Sequence, residues 1–520
     1  MSAGAPLLTV RHLDPGPVDG QAVHAALSRG HGDDRAFLLE SGQGPSADVR
    51  TTCAGLLGPL AVAVRDGDVE LEGEPALVGP VRAGLLRRGL VREAGTRALR
   101  LRSPDDLWRL PEALVELVHG PGGPAGPPSL PPVELFTAWA YDAVRSAEHL
   151  PRPAHHAGRA APPDLWAGLV RAAVVVDLAE PARTTLVVHE GAGWGADDTA
   201  RLVELVRGAG EREPGLPGVP APTGVVDELD REGFLERAER CAEHIRAGDL
   251  YQVQLGHELR VRSAAEPRDV YARLAARNPS PYMALFPLEG RRVVASSPEL
   301  FVRSDGRRAT LRPIAGTAAG GTATGPGAGA ATGPGAGVST GPCAGAASTP
   351  APSAPLRHVP KERAEHVMLV DLCRNDLGRV ARPGTVEVTE LLAVERYSHL
   401  HHLVSTVEAE LRPDVGAGEL VRACFPAGTM TGAPKIEAMG VIDALERSPR
   451  GLYAGAFGLT GRGGAVVLGL AIRTAVQEGP EWSLRASAGI VVGSDLEAEW
   501  AETWLKLAAP WWALTGEEAP

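Results

Sequence analysis

The amino-acid sequence predicts a mixed α+β fold. Three apolar runs of strand length, Leu60–Val64, Ala172–Val176 and Thr185–His189, alternate with short helical patterns in the first part of the chain. Further along, apolar residues recur at helical spacing over residues 230–245. Apolar and polar side chains then alternate over Tyr251–Gly256, which indicates a strand. Helices and strands therefore occur in both parts of the chain.

Composition limits the class of partner. The 520 residues include 64 acidic and 52 basic side chains, for a formal charge of −12, and 44% are hydrophobic, enough for a large core. The acidic balance and the lack of long basic runs argue against nucleic acid or an anionic membrane surface. No apolar stretch approaches the roughly 20 residues of a spanning helix. We expect a cytoplasmic protein with a small-molecule or protein partner.

The Pro-rich stretch Glu213–Thr223 is the main predicted boundary, dividing an N-terminal α+β region, 1–222, from a C-terminal region, 223–520. Within the second region, residues 318–355 are almost all Ala, Gly, Ser, Thr or Pro, and the hexad TGPGAG recurs there. Side chains this small cannot offset the entropy of ordering the segment. The sequence therefore predicts a mobile insertion.

A helix beginning near Asp230 has Gly248 as a plausible C-terminal cap. The strand that follows it places Gln252 and Gln254 on the face opposite its apolar side chains. Two amides on one strand face need hydrogen-bonding partners.

Two predicted helices carry acidic residues at i, i+3 spacing. In Lys361–Val380, Glu362 and Glu365 share a mostly apolar face. The helix Leu496–Leu507 carries Glu499, Glu502 and Lys506. Taken alone, the glutamate pair of the first helix could simply be solvated at the surface, and the second helix could carry an ordinary i, i+4 Glu/Lys surface pair. Mg²⁺, however, is usually held by one or two carboxylates completed by water and substrate.

Two further strings carry possible site residues. Glu299 follows the apolar strand Val293–Ala295, a position that suits an acid or base but equally a cap or a salt bridge. Gly428–Lys435 lacks the spacing of a nucleotide-binding loop. A Gly-rich turn that offers backbone N–H groups to an anion, with Lys435 or Arg473 close by, remains reasonable.

Ten ordered strings between Asp230 and Ala509 resemble one family, the chorismate-using enzymes typified by anthranilate synthase component I. The strings are GDLYQVQL, NPSPYM, SSPELFV, RPIAGT, KERAEHVMLVDLCRNDLGRV, ERYSHLHHLVS, FPAGTMTGAPK, RGLYAGAFG, AIRTAV and GSDLEAEWAETWLK. The resemblance implies an α+β fold of two packed β-sheets flanked by helices, with the site between them.

The resemblance also implies the site residues. Mg²⁺ is expected on Glu365 and Glu502, with Glu362 bound less directly. The matched catalytic positions are Glu299, His402, Gln252 and Thr317, with Glu299 assisting loss of the C4 hydroxyl and His402 associated with pyruvate elimination. The matched substrate-binding positions are Ala315, Gly316, Tyr453, Arg473, Ala488, Gly489 and Lys506.

Two of these positions bear on the reaction. Gln252 stands where isochorismate and salicylate synthases carry a Lys base, and an amide cannot take a proton from water. Ala315 stands where aminodeoxychorismate synthases commonly have a Lys nucleophile. The sequence thus favours an anthranilate synthase, which aminates chorismate at C2 and then eliminates pyruvate. The alternatives are 4-amino-4-deoxychorismate synthase component I, 2-amino-2-deoxyisochorismate synthase and a non-catalytic chorismate-binding paralogue.

We expect ammonia to come from a separate glutamine amidotransferase subunit or from free ammonium. The resemblance also implies a tryptophan inhibitor pocket formed by Glu40, Ser41, Pro281, Tyr282 and Met283. Two departures from the family stand out. The 318–355 segment replaces an acidic helical stretch, and Ser487 stands where the family usually has Gly, which is expected to weaken binding of the substrate carboxylate.

Overall fold

The structure is a computed structural model of the chain. It describes residues 6–519 except 43, 45–47, 49, 96–97, 121–129, 149, 157–160, 213–214, 320–357 and 398–399. The insertion expected over 318–355 therefore lies almost wholly outside the described residues. Within the described ranges, no helix is both long enough and apolar enough to cross a membrane.

The described residues form eleven α-helices and 23 strands. The helices are α1 Gly20–His31, α2 Pro75–Arg87, α3 Asp106–His119, α4 Val144–Glu148, α5 Ala196–Arg207, α6 Arg231–Ala247, α7 Pro267–Arg277, α8 Pro360–Gly378, α9 Ala417–Cys424, α10 Lys435–Leu445 and α11 Leu496–Thr515. The strands are β1 Thr9–Leu13, β2 Ala36–Glu40, β3 Thr51–Arg65, β4 Asp68–Gly73, β5 Val91–Ala94, β6 Ala98–Leu101, β7 Leu135–Trp139, β8 Leu165–Asp177, β9 Thr184–Glu190, β10 Gly224–Asp227, β11 Gln252–Arg262, β12 Tyr282–Leu288, β13 Arg291–Ser297, β14 Leu300–Asp305, β15 Arg308–Leu311, β16 Ile314–Ala319, β17 Glu387–Tyr397, β18 Leu400–Glu410, β19 Gly432–Ala433, β20 Ala456–Thr460, β21 Ala465–Leu470, β22 Thr474–Glu478 and β23 Glu481–Val491.

The predicted α+β class is confirmed. Strands pair antiparallel throughout the described residues, as in β11 with β23 and β3 with β8. The three strand-like runs of the sequence lie inside β3, β8 and β9. The helix expected from Asp230 is α6, which begins on the Asp230 cap and ends at Gly248, in left-handed backbone at φ 88°.

The strands enclose an aromatic core, and helices pack outside them. Phe136 lies 4.8 Å from Phe286 and 5.4 Å from Phe37 between ring centroids, in a cluster to which β3, β7, β8 and β12 contribute. Along β8, Val174 and Val175 point to opposite faces, and both are buried. One face meets the aromatic core and the other meets the helices, so β8 is apolar on both sides.

Strands from both sides of the predicted boundary pair with one another. In the N-terminal region, β2 pairs with β12, and β7 pairs with β20. The division into 1–222 and 223–520 stays a prediction, but these pairings tie the two regions into one hydrogen-bonded network.

Candidate active site

The floor of the site is the paired strands β11 and β23. Gln252 and Gln254 are buried on the same face of β11, as predicted, while Val253 and Leu255 enter an apolar cluster on the other. Gly489 lies opposite Gln254, and a Cβ there would stand 2.7 Å from Gln252 Nε2 and 2.9 Å from Gln254 Nε2. A side chain at position 489 would therefore displace the two amides.

A cavity of about 300 Å³ opens over this floor. The predicted site residues that line it are Glu299, Ala315, Glu362, Glu365, His402, Tyr453, Arg473, Gly489, Glu502 and Lys506. These residues come from strands and helices that lie far apart along the chain, so only the fold brings them together.

Four predicted residues are placed differently. Gln252 reaches the cavity indirectly, since its Nε2 donates to Glu365 Oε1 at 2.6 Å. Ala488 faces away from the cavity, in the apolar cluster packed under α6 and α10, because side chains on a strand alternate between faces. Gly316 and Thr317 lie in β16, where Thr317 pairs with His402, but their side chains lie outside the described residues.

Glu299 is a buried carboxyl group with a raised pKa. It lies between β13 and β14 and is 6% exposed. Burial raises its pKa to about 8, although the Thr429 hydroxyl donates to its Oε1 at 2.9 Å and the charge of Lys506 acts in the opposite direction. The Glu299 side chain is therefore mostly protonated at neutral pH and can serve as an acid.

Arg473 is a cation inside the cavity wall. Burial lowers its pKa to about 10, so the guanidinium stays charged at neutral pH. Its backbone has φ 49°, an uncommon conformation for a residue with a side chain. Among the described residues its guanidinium has no hydrogen-bond or ion-pair partner. A buried charge of this kind needs an anion from outside the chain.

The carboxylates of α8 and α11 face the same cavity. Glu362 and Glu365 come from α8, and Glu499 and Glu502 from α11. Lys506 Nζ lies 2.8 Å from Glu502 Oε1. In the described part of the chain, no three His, Cys, Asp or Glu side chains are arranged to hold a metal by themselves. The donors suit Mg²⁺ chemically, with substrate or water oxygens needed to complete its shell.

Sequence reasoning missed several residues of the cavity. Thr429, in the Gly428–Met430 turn, donates to Glu299, and Gln254 accepts from Ser487. Both lie in strings that the sequence pointed to, so the signal was present. Glu499 was noted as part of a surface pair but is buried in the wall.

Of the two cations suggested for an anion at the Gly-rich turn, Lys435 is already paired within the chain. Its Nζ is 2.9 Å from Oδ2 of the buried Asp376, and the residue does not line the cavity. Lys435 begins α10, so its side chain leaves the Gly-rich turn on the side of α8 rather than of β23. Arg473 alone remains of the two predicted anion partners.

A second, separate cavity of about 740 Å³ contains all the residues predicted for an inhibitor pocket: Glu40, Ser41, Pro281, Tyr282 and Met283. Asp48 lies there, buried, with the Tyr282 hydroxyl donating to it at 2.9 Å and Arg312 paired with it. Whether tryptophan binds in this cavity stays a prediction.

Comparison with known proteins agrees with this geometry. The sequence pattern described as chorismate binding enzyme matches residues 111–511, well over half of the chain. The chain belongs to the chorismate-binding enzyme family. It is an enzyme that acts on chorismate.

Individual relatives differ in name and in coverage. The 2-amino-4-deoxychorismate synthase of Streptomyces globisporus is 43% identical over 515 residues, 98% of this chain and 97% of that protein. Anthranilate synthase component 1 of Streptomyces coelicolor is 39% identical over 410 residues, 75% of each chain. The crystal structure of anthranilate synthase component I from Streptococcus pneumoniae has a TM-score of 0.68 at 23% identity, covering 89% of this chain and 92% of that one, which is a likeness of fold.

Proposed function

We propose that this enzyme adds ammonia to C2 of chorismate, removes the C4 hydroxyl and releases 2-amino-4-deoxychorismate with its enolpyruvyl group attached. The observation that carries this choice is the relative of that name, 43% identical over 98% of the chain. Its name places an amino group on C2 and the lost oxygen at C4. The proposal corresponds to the 2-amino-2-deoxyisochorismate alternative of the sequence analysis and replaces anthranilate as the leading product.

Substrate binding rests on Arg473 and Lys506. Arg473 offers an uncompensated guanidinium to one carboxylate of chorismate. Lys506 also lines the cavity, where its Nζ donates to the Ser487 carbonyl at 2.8 Å. Arg473 thus offers one carboxylate of chorismate a cation that has no partner among the described residues, and Lys506, which is paired with Glu502 at 2.8 Å, lines the same cavity.

Loss of the C4 hydroxyl rests on Glu299. As the bond from nitrogen to C2 forms, the ring double bonds shift and the C4–O bond breaks. The departing oxygen takes the Glu299 proton and leaves as water. Hydroxide is a poor leaving group, and a positioned acid typically contributes about 100- to 10,000-fold to such a step. A carboxyl with a pKa of about 8 holds that proton at neutral pH.

Gln252 is assigned a positioning role, because it does not line the cavity itself. Its Nε2 donates to Glu365 Oε1 at 2.6 Å and thereby orients one of the carboxylates proposed for Mg²⁺. An amide takes no proton from water, so water addition remains disfavoured.

Mg²⁺ is proposed on Glu365 and Glu502, with Glu362 beside them. When bound, the ion would neutralise a substrate carboxylate as negative charge develops on the ring. Glu365→Gln and Glu502→Gln are each expected to lose Mg²⁺-dependent turnover. Glu497→Gln, on the same helix α11 but paired with Arg231 outside the cavity, is the matched control and should keep it. Full activity in either cavity variant would remove the ligand assignment.

Ammonia is proposed to come from a separate glutamine amidotransferase subunit. Glutaminase nucleophiles typically stand in a GxCxG string. This sequence has that string once, at Gly341–Gly345, but there it is part of one hexad of the TGPGAG repeat, so we assign it no glutaminase role. With ammonium supplied, the chain alone should turn over. With glutamine alone it should not.

The test is to incubate the purified chain with chorismate, Mg²⁺ and ammonium and to follow chorismate, pyruvate and the product, whose amino group is located by proton NMR because the 2-amino and 4-amino isomers have the same mass. We expect chorismate to disappear without pyruvate and a product in which one hydroxyl is replaced by an amino group on C2. An amine on C4 would contradict the proposal.

Formation of anthranilate is the second candidate. It is favoured by His402, which lines the cavity, and by the anthranilate synthase relatives. Its signature is one pyruvate for each chorismate and the blue fluorescence of anthranilate, so the same incubation separates it from the first.

A further inference from the structure

Ser487 joins two other residues of the active-site cavity. It lies in β23 and is 1% exposed. Its Oγ is 2.8 Å from the hydroxyl of Tyr453 and 2.9 Å from Oε1 of Gln254. All three residues line the cavity.

The direction of each proton in this chain follows from the chemistry of the groups. Gln254 Oε1 only accepts, so Ser487 donates its single hydroxyl proton to it. Ser487 Oγ is then an acceptor towards Tyr453, and Tyr453 must donate its own single proton to Ser487. Burial raises the pKa of Tyr453, so the phenol stays protonated. Tyr453 therefore offers the substrate lone pairs but no proton.

The backbone holds Ser487 in this position. Lys506 Nζ donates to its carbonyl at 2.8 Å, and Gly256 pairs with it across the strands. A Cβ on Gly256 would stand 3.1 Å from the Ser487 Cβ, so the strands are closely packed here. The hydroxyl is fixed by strand geometry.

The consequence concerns the enolpyruvyl group. Pyruvate elimination removes the proton on C2 and breaks the C3–O bond, which makes the ring aromatic. The leaving enol of pyruvate then takes a proton at its methylene carbon. Negative charge develops on the departing oxygen and carboxylate, where one hydrogen-bond donor is typically worth about 100- to 1,000-fold in rate. The phenol in this cavity already donates its proton to Ser487.

We propose that Ser487 is a positioning residue which keeps the Tyr453 proton away from the substrate, so that the enzyme releases its aminated product before pyruvate leaves. This inference rests on the proposed function. It assigns the choice between the two candidate products to one hydroxyl group in the floor of the cavity.

The test is the yield of pyruvate per chorismate consumed, with ammonium as nitrogen donor. Ser487→Ala removes the acceptor and frees the Tyr453 proton, and we expect pyruvate yield to rise at least about tenfold over the native chain. Adding Tyr453→Phe to Ser487→Ala should return the yield to the native value. Gln254→Met should act in the same direction as Ser487→Ala, because Ser487 can then donate to Tyr453.

A Ser487→Ala variant that consumes chorismate without added pyruvate would overturn the inference. If that variant does not fold, as judged by its thermal unfolding, Gln254→Met tests the same role through the same measurement. The native chain is measured first. If the native chain releases one pyruvate per chorismate, the proposed function is rejected, and with it the role of Ser487. If the native chain releases almost no pyruvate and the variants release no more, only the role of Ser487 is rejected.

Discussion

The two cavities of this enzyme differ in how their charges are compensated. The larger, of about 740 Å³, pairs its charges internally: Arg312 with Asp48, Arg462 with Glu134, and Arg308 with Glu408. The smaller, of about 300 Å³, contains Arg473, whose guanidinium has no partner among the described residues, and Glu299, whose pKa is raised by burial. Volume therefore does not identify the catalytic cavity. An uncompensated cation together with a carboxyl that keeps its proton at neutral pH favours the smaller cavity as the catalytic one.

The substitution expected to have the largest effect on activity is Glu299→Gln. The amide keeps the shape but has no acidic proton, so kcat should fall about 100- to 10,000-fold with little change in KM. Steady-state kinetics on chorismate measures both. The same change in the other cavity, Glu408→Gln, should leave both constants unaltered. Comparable losses from the two variants would erase the distinction between the cavities.

Asp48→Asn should produce the opposite pattern, a loss of stability rather than of chemistry. Asp48 is 3% exposed and pairs with the buried Arg312, which also pairs with Glu395, so the substitution removes one of the carboxylates that neutralise this buried guanidinium. Losing a hydrogen bond to a charged group typically costs about 1.5–3 kcal/mol in free energy of unfolding. Denaturant unfolding measures it. Glu408→Gln, which breaks a half-exposed pair, should cost less than about 1 kcal/mol.

Arg473→Met should weaken substrate binding more than it slows the chemical step. Charge-assisted hydrogen bonds contribute about 1.5–3 kcal/mol, which corresponds to a rise in KM of about 10- to 150-fold. Arg308→Met removes a guanidinium that already has a partner in the other cavity and should leave KM as it was. An unchanged KM in Arg473→Met would mean that the substrate carboxylate binds elsewhere.

The smallest effect is a pH dependence confined to the catalytic cavity. Glu299 is needed in its protonated form, so kcat/KM should fall as pH rises through about 8 and should level off below it. Above pH 8, kcat/KM should fall by about one decade per pH unit. If kcat/KM of Glu299→Gln still falls above pH 8, another group causes that pH dependence.

The raised pKa of Glu299 also contributes to the stability of the fold. This contribution is fully present below the usual Glu pKa and is lost as pH rises through about 8.

The sequence was sufficient to predict features that depend only on residue spacing and local chemistry. The α+β class, the helix capped by Asp230 and Gly248, and the two amides on one face of β11 all follow from spacing along the chain. Helix α8 was predicted with both acidic residues on one side, and both line the cavity. Local spacing could not show that Lys435 is held by Asp376.

The residues by themselves determined which side chains are available: carboxylates on two helices, amides on a strand, and a serine at position 487. Only the tertiary structure decided what each one does, because pKa and proton direction depend on burial and on partners distant in sequence. Glu299 keeps its proton at neutral pH because burial raises its pKa more than the hydrogen bond from Thr429, 130 positions away, lowers it. Ser487 receives the Tyr453 proton because Gln254, 233 positions away, accepts its own.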